Sequence, residues 1–488
     1  MIRVAFISFL VNSINTRTLS SYLKENGYQS ICLFCQGNLH QDNIDQLIKI
    51  IIEKDVSLVG ISLVTDDYQS AAWITDEIKR KTEIPVIWGG AHVNVAPEEC
   101  LHHADMICMG EGEEALLDLV QCMSMRQDMD MGIKNIWFRT EEGIIRNELR
   151  NLEENLDKYP FPDFDLFSQY VMTEKGFATL QEQHLKGAYS IMTSRGCPYS
   201  CSYCYNSYRK KHYEGKGKYL RKRSICKVIA ELKEAKKRFP GLKEINFWDD
   251  SFVAREIEEF ILFRDLYRKE IGLPFFALIE PMAFKVEKIQ LLKEAGLKQL
   301  QIGIQTGSER VNRDIYRRPI SNQRILNVVR EIKALGIDAT YDLIFNNPYE
   351  TKQDIRETVN LLMAFPRPFS LQGYNLIFYP GTEITEKALQ DGYISLRQEN
   401  DDYSKIQGKE NSPIAMRGTG KISHRFYDVH FDSQEKHYLN SLLALMASKK
   451  VPGSVIRFFA KSETTARRML LKAFISFYAT ASRIKNRA

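Results

Sequence analysis

The sequence predicts an α/β protein with a Rossmann-like N-terminal domain, a partial (β/α)6 TIM-like barrel and a helical, basic C-terminal tail. Apolar strand-like runs alternate with helical patterns over 1–125, and a second alternation, with no obvious similarity to the first, covers 188–400. Basic residues cluster after 450. We therefore expect domains at 1–125 and 188–400, a linker at 126–187 and a C-terminal region at 401–488.

The first series contains five short apolar runs, at residues 2–9, 28–34, 57–64, 84–90 and 104–110. Segments with helical spacing lie between them, for example Ile44, Leu47, Ile48 and Ile51. Strands that alternate with helices form a parallel sheet covered on both faces. A ligand of such a sheet is expected beyond the carboxyl ends of the strands.

The connecting segment is less regular than either series. Residues 137–147 predict a hairpin around Glu142 and Gly143. Residues 159–167 contain two prolines and predict an extended linker.

The second series contains six strand-like runs, at 188–194, 244–248, 275–280, 299–305, 337–345 and 371–379. Helical segments separate them. Six βα units in a row predict an incomplete barrel, in which chemistry gathers at the carboxyl ends of the strands.

Composition indicates a globular protein without a strong general charge. The 488 residues are 44% hydrophobic and 26% charged, with a net charge of +5. This balance does not indicate a nucleic-acid partner. Nine cysteines are an odd number, which argues against a secreted disulfide framework. We expect a cytoplasmic protein whose thiols stay free to bind metal.

Three cysteines form the most specific motif. The segment RGCPYSCSYCYN, residues 195–206, spaces Cys197, Cys201 and Cys204 as C-x3-C-x2-C directly after a predicted strand. Thiolates are ligands of iron–sulfur clusters and of zinc. Three ligands would leave one iron of a [4Fe–4S] cluster open for chemistry. A zinc site would need a fourth ligand, for which His212 and Cys226 are candidates without a customary spacing.

With this motif at the start of a six-unit barrel, residues 188–380 resemble the radical S-adenosylmethionine (radical SAM) superfamily. The resemblance implies a [4Fe–4S] cluster that binds and cleaves S-adenosylmethionine to form a 5′-deoxyadenosyl radical. By the same resemblance, the segments WDDSF (248–252) and GIQTGSE (303–309) would contact that cofactor. The residues it implies as cofactor contacts are Tyr205, Asp249, Gln305 and Ser308.

These matches have alternatives and departures. The WDDSF segment could instead cap a helix, because Asp and Ser favour that position. Gln305 stands where many relatives carry Glu, and Asn346 and Asn347 depart from the family's Gly-Pro-Glu-Thr-like turn. The Pro-Gly-Thr within 378–383 agrees with relatives.

The first domain resembles the cobalamin-binding domain that precedes many radical SAM barrels. The resemblance rests on the segments 62–67, 88–99 and 110–116, and it implies cobalamin contacts at Ser62, Thr65, Gly89, Gly90, His92, Gly110, Glu111 and Gly112. The D-x-H-x-x-G motif is absent from the first loop, 9–18, so no His is offered there as a cobalt ligand; His92 is expected to contact the nucleotide or a phosphate. The alternative is a sheet that only supports the barrel.

Two further features remain. Cys32 and Cys35 lie in and just after a predicted strand, where successive side chains point to opposite faces, so we expect buried structural thiols. Residues 451–488 carry a net charge of +7, and the pattern from 469 predicts a basic amphipathic helix. That helix could dock on the barrel or make a peripheral contact with an anionic membrane.

Together these features predict a radical SAM enzyme that methylates an unactivated carbon with the help of cobalamin. A radical oxidative cyclase or rearrangement enzyme, and a non-catalytic cobalamin or redox sensor, are the alternatives. The expected partners are a small-molecule substrate, such as a natural-product intermediate or a lipid-like compound, and a low-potential electron donor.

Overall fold

The computed structural model describes residues 2–125, 130–396, 427–430, 437–446, 451, 453–461, 467 and 469–471. The chain divides into two compact units. The first comprises 1–195, 212–248 and 269–273, and the second comprises 196–211, 249–268 and 274–488.

The first unit is built on a nine-stranded sheet. Its strands are β1 (Arg3–Ser8), β2 (Gln29–Phe34), β3 (Leu58–Ser62), β4 (Val86–Gly89), β5 (Met106–Cys108), β6 (Ile136–Thr140), β7 (Gly143–Ile145), β8 (Gln169–Thr173) and β9 (Gly176–Thr179). The order is β7-β6-β5-β4-β3-β1-β2-β8-β9. Strands β1 to β5 pair only in parallel with one another, which confirms the predicted Rossmann-like arrangement.

Six helices connect and cover these strands. They are α1 (Ile14–Glu25), α2 (Gln41–Glu53), α3 (Tyr68–Lys81), α4 (Ala91–Val95), α5 (Pro97–Cys100) and α6 (Glu113–Ser124). The helical spacing predicted for α2 corresponds to its buried face, where Ile44, Leu47, Ile48 and Ile51 join the apolar core around the sheet. Cys32 and Cys35 are buried in this unit, as expected for structural thiols.

The segment predicted as a linker contributes strands to this sheet. The hairpin predicted around Glu142 and Gly143 is formed by β6 and β7, and β6 pairs antiparallel with β5. On the other side of the sheet β8 pairs with β2, and β9 is the edge strand. The sequence signal was weak because these four strands are only three to five residues long.

The barrel strands are β10 (Ala188–Ile191), β13 (Glu244–Phe247), β14 (Phe275–Ile279), β15 (Leu297–Gln305), β16 (Asp338–Phe345) and β17 (Ser370–Asn375); β11 (Ser194–Arg195) and β12 (Arg221–Lys222) form a separate short ribbon. The six strands form one sheet in the order β10-β13-β14-β15-β16-β17. Sequence order therefore equals spatial order, as predicted for an incomplete (β/α) barrel.

Helices follow the barrel strands along the chain. They are α7 (Tyr205–His212), α8 (Ile225–Arg238), α9 (Ile257–Glu270), α10 (Val286–Ala295), α11 (Asn322–Ala334), α12 (Lys352–Met363) and α13 (Glu383–Gln390). Ser224, Ser321 and Thr351 cap α8, α11 and α12 by accepting a hydrogen bond from a backbone N–H in the first turn.

The C-terminal region contributes the hairpin of β18 (Ile394–Leu396) and β19 (Tyr427–Val429), and the helices α14 (His437–Met446) and α15 (Gly453–Ala460). Most of the basic amphipathic helix predicted from 469 onward lies outside the described residues. Within the described part of the chain, no helix combines the length and apolar character needed to cross a membrane.

Candidate cofactor sites

The three cysteines lie on a loop held in place by Ser202. The Ser202 hydroxyl donates to the carbonyl of Ile315 at 2.5 Å, and its backbone N–H donates to the carbonyl of Tyr316 at 3.2 Å. Its own carbonyl accepts from the N–H of Ile384 at 3.2 Å. A buried residue thus anchors the loop to the turn after β15 and to the first turn of α13.

Cys197, Cys201 and Cys204 are half-buried thiols on this loop. Burial raises the pKa of Cys197 to about 12 and that of Cys204 to about 11, and it also raises the pKa of Cys201. Among the described residues, no three His, Cys, Asp or Glu side chains, these cysteines included, are gathered at metal-ligand geometry. A ligand set of three thiols on one loop nevertheless fits a cluster with one open iron.

A buried arginine and a carboxyl group accompany the cysteines. Arg318 is 2% exposed, and its guanidinium donates to the carbonyls of Gly303 at 2.6 Å and Ile304 at 3.3 Å. Its charge lowers the pKa of Cys201 against the larger effect of burial. Glu280 accepts a hydrogen bond from Ser251 at 2.6 Å, and burial raises the pKa of its carboxyl to about 7.

Sequence reasoning missed Arg318 and Glu280. Glu280 ends a predicted strand, which is the position where barrel chemistry gathers, so that signal was available. Arg318 lies in a turn far from the cysteines in sequence and carried no signal.

The candidate contacts of S-adenosylmethionine occupy different environments. Tyr205 begins α7, half-buried, with its ring stacked on Tyr208 at a centroid distance of 6.4 Å. Asp249 is fully buried, and burial raises the pKa of the adjacent Asp250, which is hydrogen-bonded to Asn206 of α7. The helix-cap alternative for 248–252 fails, because α9 begins only at Ile257.

Gln305 and Ser308 differ in what they can offer a ligand. Gln305 has a left-handed backbone (φ +71°) at a bulge between β15 and β16, and its side chain is half-buried. The hydroxyl of Ser308 is buried and donates to Asp354 Oδ1 at 2.6 Å. The carboxylate of Asp354 also accepts from Arg310 and Thr351, so Ser308 belongs to a network at the start of α12.

The candidate cobalamin contacts lie in and beside the loops at the carboxyl ends of the parallel strands β3, β4 and β5. Ser62 and Gly89 are neighbours at the carboxyl ends of β3 and β4, and Gly110 lies two residues beyond β5. Gly90 has φ +103°, and an added Cβ would lie 2.5 Å from the carbonyl oxygen of Leu63. A side chain at this position would therefore clash with backbone.

Asn94 joins two of these loops, and sequence reasoning missed it. Its side-chain N–H donates to the backbone carbonyl of Gly90, and its side-chain oxygen Oδ1 accepts from the backbone N–H of Gly110, both at 2.8 Å. Apolar side chains stand at the same strand ends: Leu10 after β1 is 65% exposed and Val64 after β3 is 45% exposed. Glycine-lined loops beside exposed apolar groups fit a large, flat ligand such as a corrin.

His92 and Glu111 are engaged by protein groups. His92 is fully buried, with Nδ1 3.3 Å from the hydroxyl of Thr65 and Nε2 3.5 Å from a carboxylate oxygen of Glu99. Glu111 pairs with Arg221 and Arg195. The backbone N–H groups of Gly112 and its neighbours, at the start of α6, remain suited to a phosphate or other acceptor.

A parallel sheet with glycine loops, followed by a barrel with a three-cysteine loop, is the arrangement that the sequence resemblance implies for an iron–sulfur enzyme that uses S-adenosylmethionine and a corrinoid. Sequence profiles of two known families match these two parts of the chain. The sequence profile of the radical SAM superfamily matches residues 191–362, and that of the B12 binding domain matches residues 2–120. The chain therefore combines a radical SAM domain with a B12 binding domain, and the cofactors of this combination are a [4Fe–4S] cluster, S-adenosylmethionine and cobalamin.

Individual relatives are distant. The uncharacterized methyltransferase PH0819 of Pyrococcus horikoshii is 27% identical over 355 residues, which cover 71% of this chain and 72% of that protein. The radical SAM methyltransferase TsrM of Kitasatospora setae has a similar structure (TM-score 0.68, 18% identity, 82% of this chain and 79% of TsrM). The cobalamin-dependent radical enzyme OxsB gives a TM-score of 0.68 at 16% identity, over 98% of this chain and 76% of OxsB. The two structures confirm the predicted fold.

Proposed function

We propose that this enzyme transfers a methyl group to an unactivated carbon of a small molecule. The observation that carries the proposal is the presence, in one chain, of a cysteine loop for a radical-generating cluster and of a cobalamin-binding sheet. The similarity to a protein named as a methyltransferase, over 71% of the chain, supports it.

When bound, the cluster supplies the electron that cleaves S-adenosylmethionine, and the corrinoid supplies the methyl group. The protein's own work is to hold and orient these groups. Cys197, Cys201 and Cys204 would ligate the cluster, and Ser202 keeps their loop in place. Arg318 places a fixed positive charge beside the loop, where it favours anionic groups.

On the cobalamin domain, Gly90 and Gly110 let two loops pack closely against Leu63 and Tyr213. Asn94 joins these loops, which would line the ligand. Tyr205, Asp249 and Gln305 remain proposed contacts of S-adenosylmethionine. We propose a cytoplasmic location and a low-potential electron donor. A lipid-like substrate would be expected only if the basic tail contacts a membrane.

The test is product analysis after anaerobic reconstitution of the cluster. The protein would be incubated with S-adenosylmethionine, hydroxocobalamin, a low-potential reductant and the small-molecule pool of a cell extract, so that S-adenosylmethionine is the only methyl donor added. Methyl transfer predicts both 5′-deoxyadenosine and S-adenosylhomocysteine. Replacing Cys197, Cys201 and Cys204 by Ala should abolish both products, whereas Cys226→Ala, at an exposed position on α8, should leave them unchanged.

The other outcomes separate the alternatives. 5′-Deoxyadenosine without S-adenosylhomocysteine would overturn methyl transfer and favour an oxidative cyclisation or a rearrangement. Neither product, from protein with an intact cluster, would point to a non-catalytic sensor.

A further inference from the structure

Polar side chains from β15, β16 and β17 meet on one face of the barrel sheet. Strand β15 lies between β14 and β16 and pairs in parallel with both, yet its side chains alternate in character. Leu300, Ile302 and Ile304 are buried, whereas Gln301 and Gln305 on the other face are half-buried. The strands of a (β/α) barrel usually direct bulky apolar side chains to the barrel interior. Polar side chains at the middle of a barrel strand are therefore suited to contact a polar ligand.

A cluster of three side chains occupies the middle of this polar face, and we refer to it as the 301/342/374 cluster. The amide N–H of Gln301 on β15 donates to Asp342 Oδ2 on β16 at 2.8 Å. The same Nε2 lies 3.4 Å from the hydroxyl of Tyr374 on β17, at the edge of hydrogen-bonding distance. The register places Gly303 opposite Asp342 and Ile344 opposite Tyr374, so three adjacent strands contribute to one patch.

The charge of Asp342 is not balanced by a cation within the described part of the chain. No Lys, Arg or His there forms an ion pair with it, and its Oδ1 is buried without a hydrogen-bond donor from any described residue. Burial raises the pKa of this carboxyl to about 7. A carboxylate taken out of water without a partner is unfavourable, which is a state that a complementary ligand would relieve.

We propose that the 301/342/374 cluster binds a cationic nitrogen group of the substrate, a protonated amine. This inference rests on the proposed function, because it assumes that a small molecule reacts in the barrel. An ammonium group carries the missing positive charge and three N–H donors. The acceptors that the cluster offers are Asp342 Oδ1, the hydroxyl oxygen of Tyr374 and the side-chain carbonyl of Gln301. A metal ion is a poorer occupant, because Asp342 is the one charged group of the cluster and an amide N–H of Gln301, rather than a second metal-ligating oxygen, faces it.

The experiment uses the reconstituted full-length enzyme and the small-molecule pool of a cell extract, separated by cation exchange into a retained and an unretained fraction. The readout is the increase in 5′-deoxyadenosine formation that each fraction causes over the rate without substrate. We expect the retained fraction to stimulate the wild-type enzyme, and acetylation of its amines to abolish the stimulation. Stimulation by the unretained fraction alone, or stimulation that survives acetylation, would overturn the inference.

Variants assign the effect to the cluster. Asp342→Asn keeps the shape of the side chain but removes its charge, and it should weaken the apparent affinity for the active fraction by about tenfold or more. Asp342→Glu should recover part of it. Asp338→Asn, at an exposed position of the same strand, is the matched control and should behave as wild type. An Asp342→Asn enzyme with wild-type affinity would contradict the inference.

A binding measurement separates failure of this inference from failure of the proposed function. Thermal unfolding would be followed with each fraction in the absence of reductant. Stabilisation of the wild type, but not of Asp342→Asn, by the retained fraction would support amine binding even if no 5′-deoxyadenosine forms under any condition. In that case the enzymatic proposal alone would fail. Absence of stabilisation by the retained fraction, together with absence of stimulation, would overturn the amine inference.

Discussion

Glu111 and Arg221 form a two-pronged ion pair, with guanidinium-to-carboxylate distances of 2.6 and 3.0 Å. Glu111 lies in the glycine-rich loop after β5, and Arg221 begins β12. Arg195, on the paired strand β11, lies 3.0 Å from the same carboxylate and 2.5 Å from that of Glu113. Ion pairs thus connect the loop proposed to contact cobalamin with the β11–β12 ribbon, which lies in the same compact unit.

Removing the charge of Glu111 should destabilise the folded protein. The side chain of Arg221 is only 3% exposed, so Glu111→Gln would leave a buried guanidinium without its main counter-charge. We expect a loss of about 3 kcal/mol in the free energy of unfolding, measured by urea denaturation. Glu98→Gln breaks the exposed pair with Arg146 and should cost less than about 1 kcal/mol. Equal effects of the two substitutions would contradict the structural role given to Glu111.

The shape of the loop after β4 depends on Gly90. Gly90→Ala should destabilise the protein and weaken cobalamin binding, because the new Cβ would clash with the carbonyl of Leu63. Gly27 also has a positive φ, of +85°, but has open space around it. Gly27→Ala is therefore a control for backbone strain alone, at about 1 kcal/mol. Cobalamin affinity, measured by absorbance titration, should fall in the Gly90 variant and be retained in the Gly27 variant.

The positive charge of Arg318 should raise the reduction potential of the cluster. Reduction adds negative charge beside this guanidinium, so Arg318→Met should shift the potential to more negative values. The shift is expected on the order of 60 mV, equivalent to a tenfold change in a one-electron equilibrium. Arg317, its exposed neighbour paired with Glu383, provides the control Arg317→Met. A redox titration followed by electron paramagnetic resonance would measure both, and equal potentials in the wild type and the Arg318 variant would refute the prediction.

Asp342 should make stability depend on pH. Burial raises the pKa of this carboxyl to about 7, whereas the pKa of an Asp in the unfolded chain is about 3.9. The folded state therefore holds a proton that the unfolded state has already lost, and this residue's contribution destabilises the fold progressively as pH rises from about 4 to about 7.

The substitution Asp342→Asn removes the free-energy cost of ionising this buried carboxyl. The variant should be more stable than the wild type by about 1 to 3 kcal/mol above pH 7, with the difference vanishing below about pH 4. Unfolding of the ligand-free protein across this pH range would measure the difference, with Asp338→Asn as the control. A constant difference at all pH values would show that ionisation of Asp342 is not its cause.

Several features followed from the sequence because they depend on local pattern. The parallel strands β1 to β5 and the six barrel strands were predicted within a few residues, since apolar runs that alternate with helical spacing allow few arrangements. Cys197, Cys201 and Cys204 could be singled out because their ligand spacing is local. The segment 126–187 was predicted as a linker, but its strands β8 and β9 join the sheet. Strand pairing of this kind is difficult to predict from short segments.

The fold class, the presence of two cofactor domains and the candidate cysteine ligands could all be predicted from the sequence, because each is encoded in periodicity or in short motifs. Three other contacts depend on the tertiary fold: Asn94 with Gly90 and Gly110, Arg318 with the cysteine loop, and Asp342 with Gln301 and Tyr374. These groups lie far apart along the chain. Strand register and burial, rather than local pattern, bring them together and set their charge environment.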